Sequence, residues 1–147
     1  MRLKKASASD SRVLWKWRND PVTRANSNTR RIISWKEHSE WLKKVLKSNK
    51  FRLYMIVDKN KKVGMVRFDI NDNSANVSIN MNPKYRNMGF GKAGLVKSVE
   101  LFRKKNPGLR QIAIIKKRNK ASKSIFVNAG FNQTNMSNNG CLVFTKK

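Results

Sequence analysis

At 147 residues, 39% of them apolar, the chain has enough for one core and too little for two, so residues 1–147 read as a single domain. No apolar run exceeds five residues (Leu53 to Val57), the start lacks a signal peptide's apolar stretch, and one cysteine (Cys141) with one histidine (His38) excludes an internal disulfide and a cysteine metal cage; a cytoplasmic protein with no metal and no membrane partner is expected. Lys and Arg number 34 against 8 Asp and Glu, a net +26, which suits a polyanionic or phosphorylated partner, although A- and T-rich coding would raise the 22 Lys and 18 Asn just as well.

Met1 to Ala6 read as a short strand, and Ser9 and Asp10 are N-cap candidates for a helix from Ser11 to Asn19 that Pro21 ends. From Pro21 to Ile33 the chain is polar and aperiodic, with Arg24, Arg30 and Arg31, which predicts a loop or broken helix. Ser34-Trp35-Lys36-Glu37 is a capping box opening a helix to Lys47, with Trp35, His38, Trp41, Leu42 and Val45 along one side. The period then changes to two. Phe51 to Asp58 and Val63 to Ile70 predict a hairpin, and Ala75 to Met81 a further strand with Val77, Ile79 and Met81 on one face and Asn76, Ser78 and Asn80 on the other. Gly89 to Lys105 predicts a helix closed by Pro107-Gly108, Arg110 to Lys116 a strand, and Lys120 to Ala129 a helix ended by Gly130, before two last strands about Ser137 to Gly140. This order predicts an α/β unit with a mixed sheet.

The segment Asn82 to Gly94 runs from a strand end through a glycine-bearing loop into a helix. Unpaired N–H groups at a helix start, and the missing Cβ atoms of Gly89 and Gly91, suit an anion; glycines that only shape a turn would look the same. Gly89-x-Gly91-x-x-Gly94 also matches a dinucleotide fingerprint, but that reading needs an acid about 20 residues on, and no Asp or Glu follows Glu100. A P-loop fails too, because Ala93 follows Lys92 where Ser or Thr is required.

Arg86-Asn87-Met88-Gly89-Phe90-Gly91 resembles the hallmark of the GNAT superfamily of N-acetyltransferases: Arg or Gln, two residues, Gly, one residue, Gly or Ala. Asn119 to Ser122, then Ile125, Phe126 and Ala129-Gly130-Phe131, is similar to that family's second half. The resemblance implies a mixed, mostly antiparallel sheet splayed between strands 4 and 5 and flanked by about four helices. Acetyl-CoA would lie in the splay, its pyrophosphate on Met88, Gly89, Phe90, Gly91 and Lys92 with Arg86 in the same loop. Ile79, Asn80 and Met81 would pair their backbone with the pantetheine arm, Asn119, Ser122 and Phe126 would face it from the other side, and an N–H at a strand bulge near Asn80 would hold the oxyanion. Asn119 also reads as a helix N-cap.

The chain departs from the family at its acid and base. Phe126 stands where many members carry a tyrosine that protonates the leaving thiolate, and Ile114 where some carry an acid; the carboxylates nearest the expected cleft are Asp69, Glu37 and Asp72. Trp17-Arg18-Asn19-Asp20-Pro21, then Ile33, His38 and Trp41, then Val63 to Asp69, is similar to the branch that acetylates nucleotide-linked amino sugars, including that of the pseudaminic acid pathway. Ribosomal-protein N-terminal acetyltransferases share the Trp-Arg-Asn start. The implied partner is a small-molecule amine, nucleotide-linked in the amino-sugar branch, and a homodimer is left open. His38 is the base candidate, or a histidine packed on its helix; Ser78 with Asn80 could hold a water relay, or merely face solvent; Asp69 is the remaining proton acceptor. The four tryptophans read as core more than as a stacking platform. Phe51-Arg52-Leu53-Tyr54, the one run mixing aromatics with a cation, carries the rival reading of a basic RNA-binding module, and the charge favours some non-specific nucleic-acid binding.

Overall fold

The alternating segments pair into one seven-stranded sheet in the computed structural model, which describes residues 1–147. Strands β1 (Arg2–Lys5), β2 (Phe51–Asp58), β3 (Lys61–Ile70), β4 (Ser74–Met81), β5 (Arg110–Ile115), β6 (Asn132–Asn138) and β7 (Cys141–Lys146) lie in the order β1-β2-β3-β4-β5-β7-β6. All neighbours are antiparallel except β4 and β5. The helices are α1 (Ser11–Arg18), α2 (Pro21–Ala25), α3 (Trp35–Lys47), α4 (Phe90–Lys105) and α5 (Lys120–Asn128). No helix is long and apolar enough to cross a membrane.

That is one helix more than expected, and α2 is the addition. Asp20 caps it, accepting from Val22 N at 3.1 Å and Thr23 N at 3.2 Å, and Pro21 occupies its first turn, where a missing N–H costs nothing. Asp20-Pro21 therefore stops one helix and starts the next. The capping box at Ser34 forms only by half: Ser34 Oγ accepts from Glu37 N at 3.2 Å, while the Glu37 carboxylate turns to Arg31 at 2.9 Å.

Side-chain alternation divides the core between the two faces of the sheet. Leu53, Met55, Val57 and Met65 pack with Leu14 and Trp17 of α1 and Leu42 and Val45 of α3. On the opposite face Ile56, Val66, Phe68, Val77 and Ala113 meet Leu95, Val99 and Phe102 of α4 and Phe126 of α5, with Phe68 and Phe102 stacked at 4.3 Å. Gly94 lets α4 come this close, because a Cβ there would lie 2.9 Å from Ile56 Cγ1. Of the four tryptophans only Trp17 is fully buried. Trp15 and Trp35 pack edge to face at 5.5 Å, and Trp41 is half-buried, so the expectation of a tryptophan core holds for one of the four. Phe51 is half-buried and Tyr54 buried, which leaves no exposed aromatic platform on β2.

β4 and β5 pair only from Ser74–Asn76 to Arg110–Ile112 and then separate. This opens a gap on the Val77–Met81 side of the sheet.

Candidate functional site

The gap between β4 and β5 continues into a cleft of about 900 Å³, roofed by α2 and the loop to Ile33 and floored by α5. Its roof is pinned from both sides. Thr23 Oγ1 donates to Asn80 Oδ1 on β4 at 3.3 Å, and the Ala25 carbonyl accepts from Lys116 Nζ at 3.2 Å beyond β5. At the far end of the loop Asn19 grips Ile33, accepting from its N–H at 2.8 Å and donating to its carbonyl at 2.9 Å, which buries an isoleucine inside an otherwise polar segment.

Peptide groups in a strand point alternately to the two neighbours, so parity assigns those of β4. Ser74 O accepts from Asn71, and Asn82 N donates to Val63 O, both on the β3 side; Asn73 O accepts from Arg110 on the β5 side. Odd-numbered Ile79 and Met81 therefore aim N–H and C=O into the gap, whereas the Asn80 backbone belongs to its pairing with Met65. No register shift interrupts β4; those of the sheet lie between β2 and β3, at Ile56/Val57, and between β6 and β7, at Gln133/Ser137. The expectation that the Asn80 backbone reaches the gap is thus corrected: the groups that do so are those of Ile79 and Met81, and Asn80 contributes its side chain instead.

Beyond the C-terminal end of β4 the loop enters α4 through Gly89, whose φ of 84° is costly for other residues. The backbone N–H groups from Met88 to Lys92 find no partner in the protein; the first hydrogen bond of the helix is Ala93 N to Gly89 O. Gly89, Gly91 and Lys92 line the cleft. Met88 and Phe90 do not: the Met88 side chain is exposed, and Phe90 packs edge to face on Tyr85 at 6.1 Å, so only their amides are available. Arg86 lines the cleft but is held elsewhere, its Nη2 2.7 Å from Asp20 Oδ2 and donating to Thr23 Oγ1 at 3.1 Å. Burial alone would raise the Asp20 pKa; the Arg86 hydrogen bond and the Thr23 and Val22 amides hold it below the usual carboxylate range. Arg86 thereby ties α2 to the glycine loop rather than standing free for an anion.

Across the gap Asn119 and Ser122 line the cleft at the start of α5, where Asn119 Oδ1 caps Ser122 N at 3.1 Å and its Nδ2 donates to Ser122 Oγ. The capping reading of Asn119 holds, which leaves one amide hydrogen to face the cleft. Phe126 is buried against Phe131 with its ring on the cleft floor, and Ile114 borders the opposite wall; neither supplies a proton.

The other face of β4 presents Ser78 and Asn80, paired in register with Arg67 and Met65 of β3. Over them stand His38 and Trp41 of α3 and Arg18 of α1, all lining the cleft. His38 is 1% exposed, its ring 5.7 Å from that of Trp41, and neither ring nitrogen has a hydrogen-bond partner. Burial first, then the Arg18 charge, pushes its pKa below the ordinary histidine value against a smaller opposing pull from the nearby Ser11 backbone, so the imidazole is neutral at pH 7. Both expectations for His38 meet here: it is packed, and it faces the cleft. Asp69 does not. It pairs with Asn76, where β4 and β5 are still joined, and its Oδ1 lies 2.9 Å from Arg67 Nε. Glu37 and Asp72 are also absent from the lining, which contains no carboxylate and five cations: Arg18, Arg67, Arg86, Lys92 and Lys116. Arg67, Thr23 and Trp41 were not legible as cleft residues; for α2 the Asp-Pro pair was an available signal.

The family described as "Acetyltransferase (GNAT) domain" matches residues 1–132. No curated protein sequence matches the chain. Among solved structures, a domain from Methanocaldococcus jannaschii DSM 2661 superposes with a TM-score of 0.84 at 18% identity, over 99% of this chain and 96% of that one. A ribosomal alpha-N-protein acetyltransferase in complex with coenzyme A gives 0.83 at 14% identity, over 98% and 92%. An aminoglycoside acetyltransferase in complex with coenzyme A gives 0.82 at 14%, over 99% and 93%. Identities this low speak for the fold alone, but the family match spans nearly all of the chain. This chain belongs to the GNAT family of acetyltransferases, and its cleft is that of an N-acetyltransferase.

Proposed function

We propose that the protein transfers acetyl from acetyl-CoA to a primary amine on a nucleotide-activated amino sugar. The observation that carries the acceptor class is the lining of the cleft: five cations and no carboxylate. Polycationic acceptors such as aminoglycosides or polyamines would be repelled from such a wall, and an acceptor with anionic groups is drawn to it.

In this reading the unpaired amides from Met88 to Lys92 take the pyrophosphate of acetyl-CoA at the positive end of α4, and Gly89 and Gly91 leave room for its approach. The pantetheine arm adds to β4 through Ile79 and Met81, with Asn119 and Ser122 on its other flank. The amine loses its proton to the neutral His38, directly or through water held by Ser78, and attacks the thioester carbonyl. An N–H of Ile79 or Met81, fixed before reaction, holds the developing oxyanion. Collapse breaks the C–S bond and the sulfur leaves as thiolate. With Phe126 in the tyrosine position, no side chain protonates that thiolate, and the second proton of the attacking nitrogen reaches it through water. Asp69, tied to Arg67 and off the cleft, has no part in this path.

A peptide N-terminus is the second reading, favoured by the superposition on the ribosomal alpha-N-protein acetyltransferase. A panel of amines with acetyl-CoA, followed by free-thiol release, separates the two. We expect release with a uridine-diphosphate-linked 4-amino sugar and little with spermidine, an aminoglycoside or an alanine-initiated peptide. A preference for the peptide or a polyamine would overturn the acceptor assignment.

A further inference from the structure

Arg18 and Arg67 come from different elements, α1 and β3, and both line the acceptor side of the cleft. Both guanidiniums stand over the Trp41 ring, 5.3 and 5.5 Å from its centre. Arg18 forms no ion pair, since the nearest acid, Glu37, is taken by Arg31. Arg67 meets Asp69 only through Nε, on the side away from the cleft opening. Two like charges have therefore been brought to one aromatic ring, and the terminal N–H groups of both remain without a protein acceptor. Burial, and then the neighbouring Arg67, depress the Arg18 pKa, the cost of crowding two cations in a half-buried place. An arrangement of this kind lowers its energy when an oxyanion enters, because a guanidinium fork matches phosphate oxygens two at a time. Two adjacent forks suit a phosphate better than a single carboxylate, which one fork would satisfy.

We propose that Arg18 and Arg67, braced on Trp41, form an oxyanion subsite that holds a phosphate group of the acceptor and so selects phosphorylated amines over plain ones. It deepens the acetyltransferase reading, on which it rests for the amine that follows the phosphate into the cleft. Ser78, opposite Arg67 in the strand register, and His38 then lie on the same side as the bound acceptor.

Two measurements test this separately from the reading beneath it. In the first, uridine diphosphate is titrated calorimetrically into protein saturated with CoA, so that the glycine loop is already filled. Saturable binding is expected, weakened about 10- to 100-fold by Arg18→Gln and by Arg67→Gln and less by Arg18→Lys, which keeps charge but loses the fork. Binding that is absent, or equal in parent and variants, overturns the subsite. In the second, kcat/KM is compared for glucosamine 1-phosphate, glucosamine and its 6-carboxylate analogue. The variants should lower the value for the phosphorylated sugar about 10-fold or more and leave glucosamine within about twofold. Equal losses on all three sugars overturn the subsite while the acetyltransferase reading stands, and an equal loss on the carboxylate sugar overturns the phosphate assignment. If none of these sugars is acetylated yet uridine diphosphate binding falls in the variants, the subsite stands, and the acceptor reading is decided by the nucleotide-linked sugar of the amine panel. Arg18 is half-buried and free of ion pairs, so Arg18→Gln should fold, and it alone suffices should Arg67→Gln not.

Discussion

Removing the imidazole of His38 separates packing from proton transfer, because the structure sets a magnitude for each. The residue is 1% exposed, with its ring between those of Trp35 and Trp41 at 6.1 and 5.7 Å. Truncation to Ala leaves a void of nearly the whole ring, for which core substitutions of similar size cost about 2–4 kcal/mol. At this chain length each kcal/mol is worth about 2–4 °C, so His38→Ala should melt roughly 5–15 °C lower and His38→Gln, which fills most of the space, less. The rate of acetyl transfer should fall by about 10²-fold or more in both, measured well below the variant's melting point. Acetyl-CoA affinity should stay within about twofold, since His38 lies across the cleft from the amides proposed to take the donor. Burial holds the His38 pKa down, so the acid limb of the pH profile should sit below the free-histidine value of about 6.5, and it should vanish in both variants. The same shift fixes a sign for stability. The unfolded chain protonates first, so stability is lost as pH falls from about 6.5 towards the lower folded value, and His38→Gln should not show that loss. Full activity in His38→Gln would refute the base assignment outright. A low rate that persists with an unchanged pH limb would show that the ring only packs.

Four further outcomes follow from the same structure. Acetyl-CoA should raise the melting temperature, and Gly89→Val should abolish that shift; a Cβ at this position meets nothing within 4 Å, so the variant bears only the strain of its φ of 84°, about 1–2 kcal/mol, and an unchanged shift would contradict the loop assignment. Gly94→Ala should cost about 1–3 kcal/mol by forcing a Cβ onto Ile56, and Ile56→Val should recover part of it in a double-mutant cycle, with strict additivity the contrary result. The fully buried Asp10 lies 2.6 Å from Lys62 Nζ; burial would raise its pKa, but Lys62, the Ser7 N–H and Lys4 hold it below the usual range. Its contribution is therefore present above about pH 4 and lost as pH falls through the folded value, so the melting curves of parent and Asp10→Asn, apart by about 2 kcal/mol at pH 7, should converge in acid. Generic single-stranded RNA should bind weakly at physiological salt and lose affinity steeply as salt rises, whereas sequence-selective nanomolar binding would restore the RNA-binding reading.

What the sequence determined by itself is local. Strand and helix limits follow from period, as at Phe51–Asp58 and Trp35–Lys47, because backbone conformation responds to neighbours a few residues away. The glycine loop was legible for the same reason: free amides at a helix start and a φ that favours glycine are properties of one short segment. The destinations of long side chains were decided by tertiary structure. Arg86 belongs by motif to the anion loop, yet its guanidinium goes to Asp20, brought beside it by α2. Asp69 shares a face with Arg67, but register places it at the closed end of the splay, opposite Asn76 and away from the chemistry. The backbone groups that reach the gap are those of Ile79 and Met81 and not those of Asn80, because strand parity is set by which partner lies on which side. Trp41, Arg18 and Arg67 converge from α3, α1 and β3, and no spacing along the chain encodes that meeting. Periodicity is carried by residues that touch in sequence; a site is made by residues that touch only after the sheet has closed against its helices.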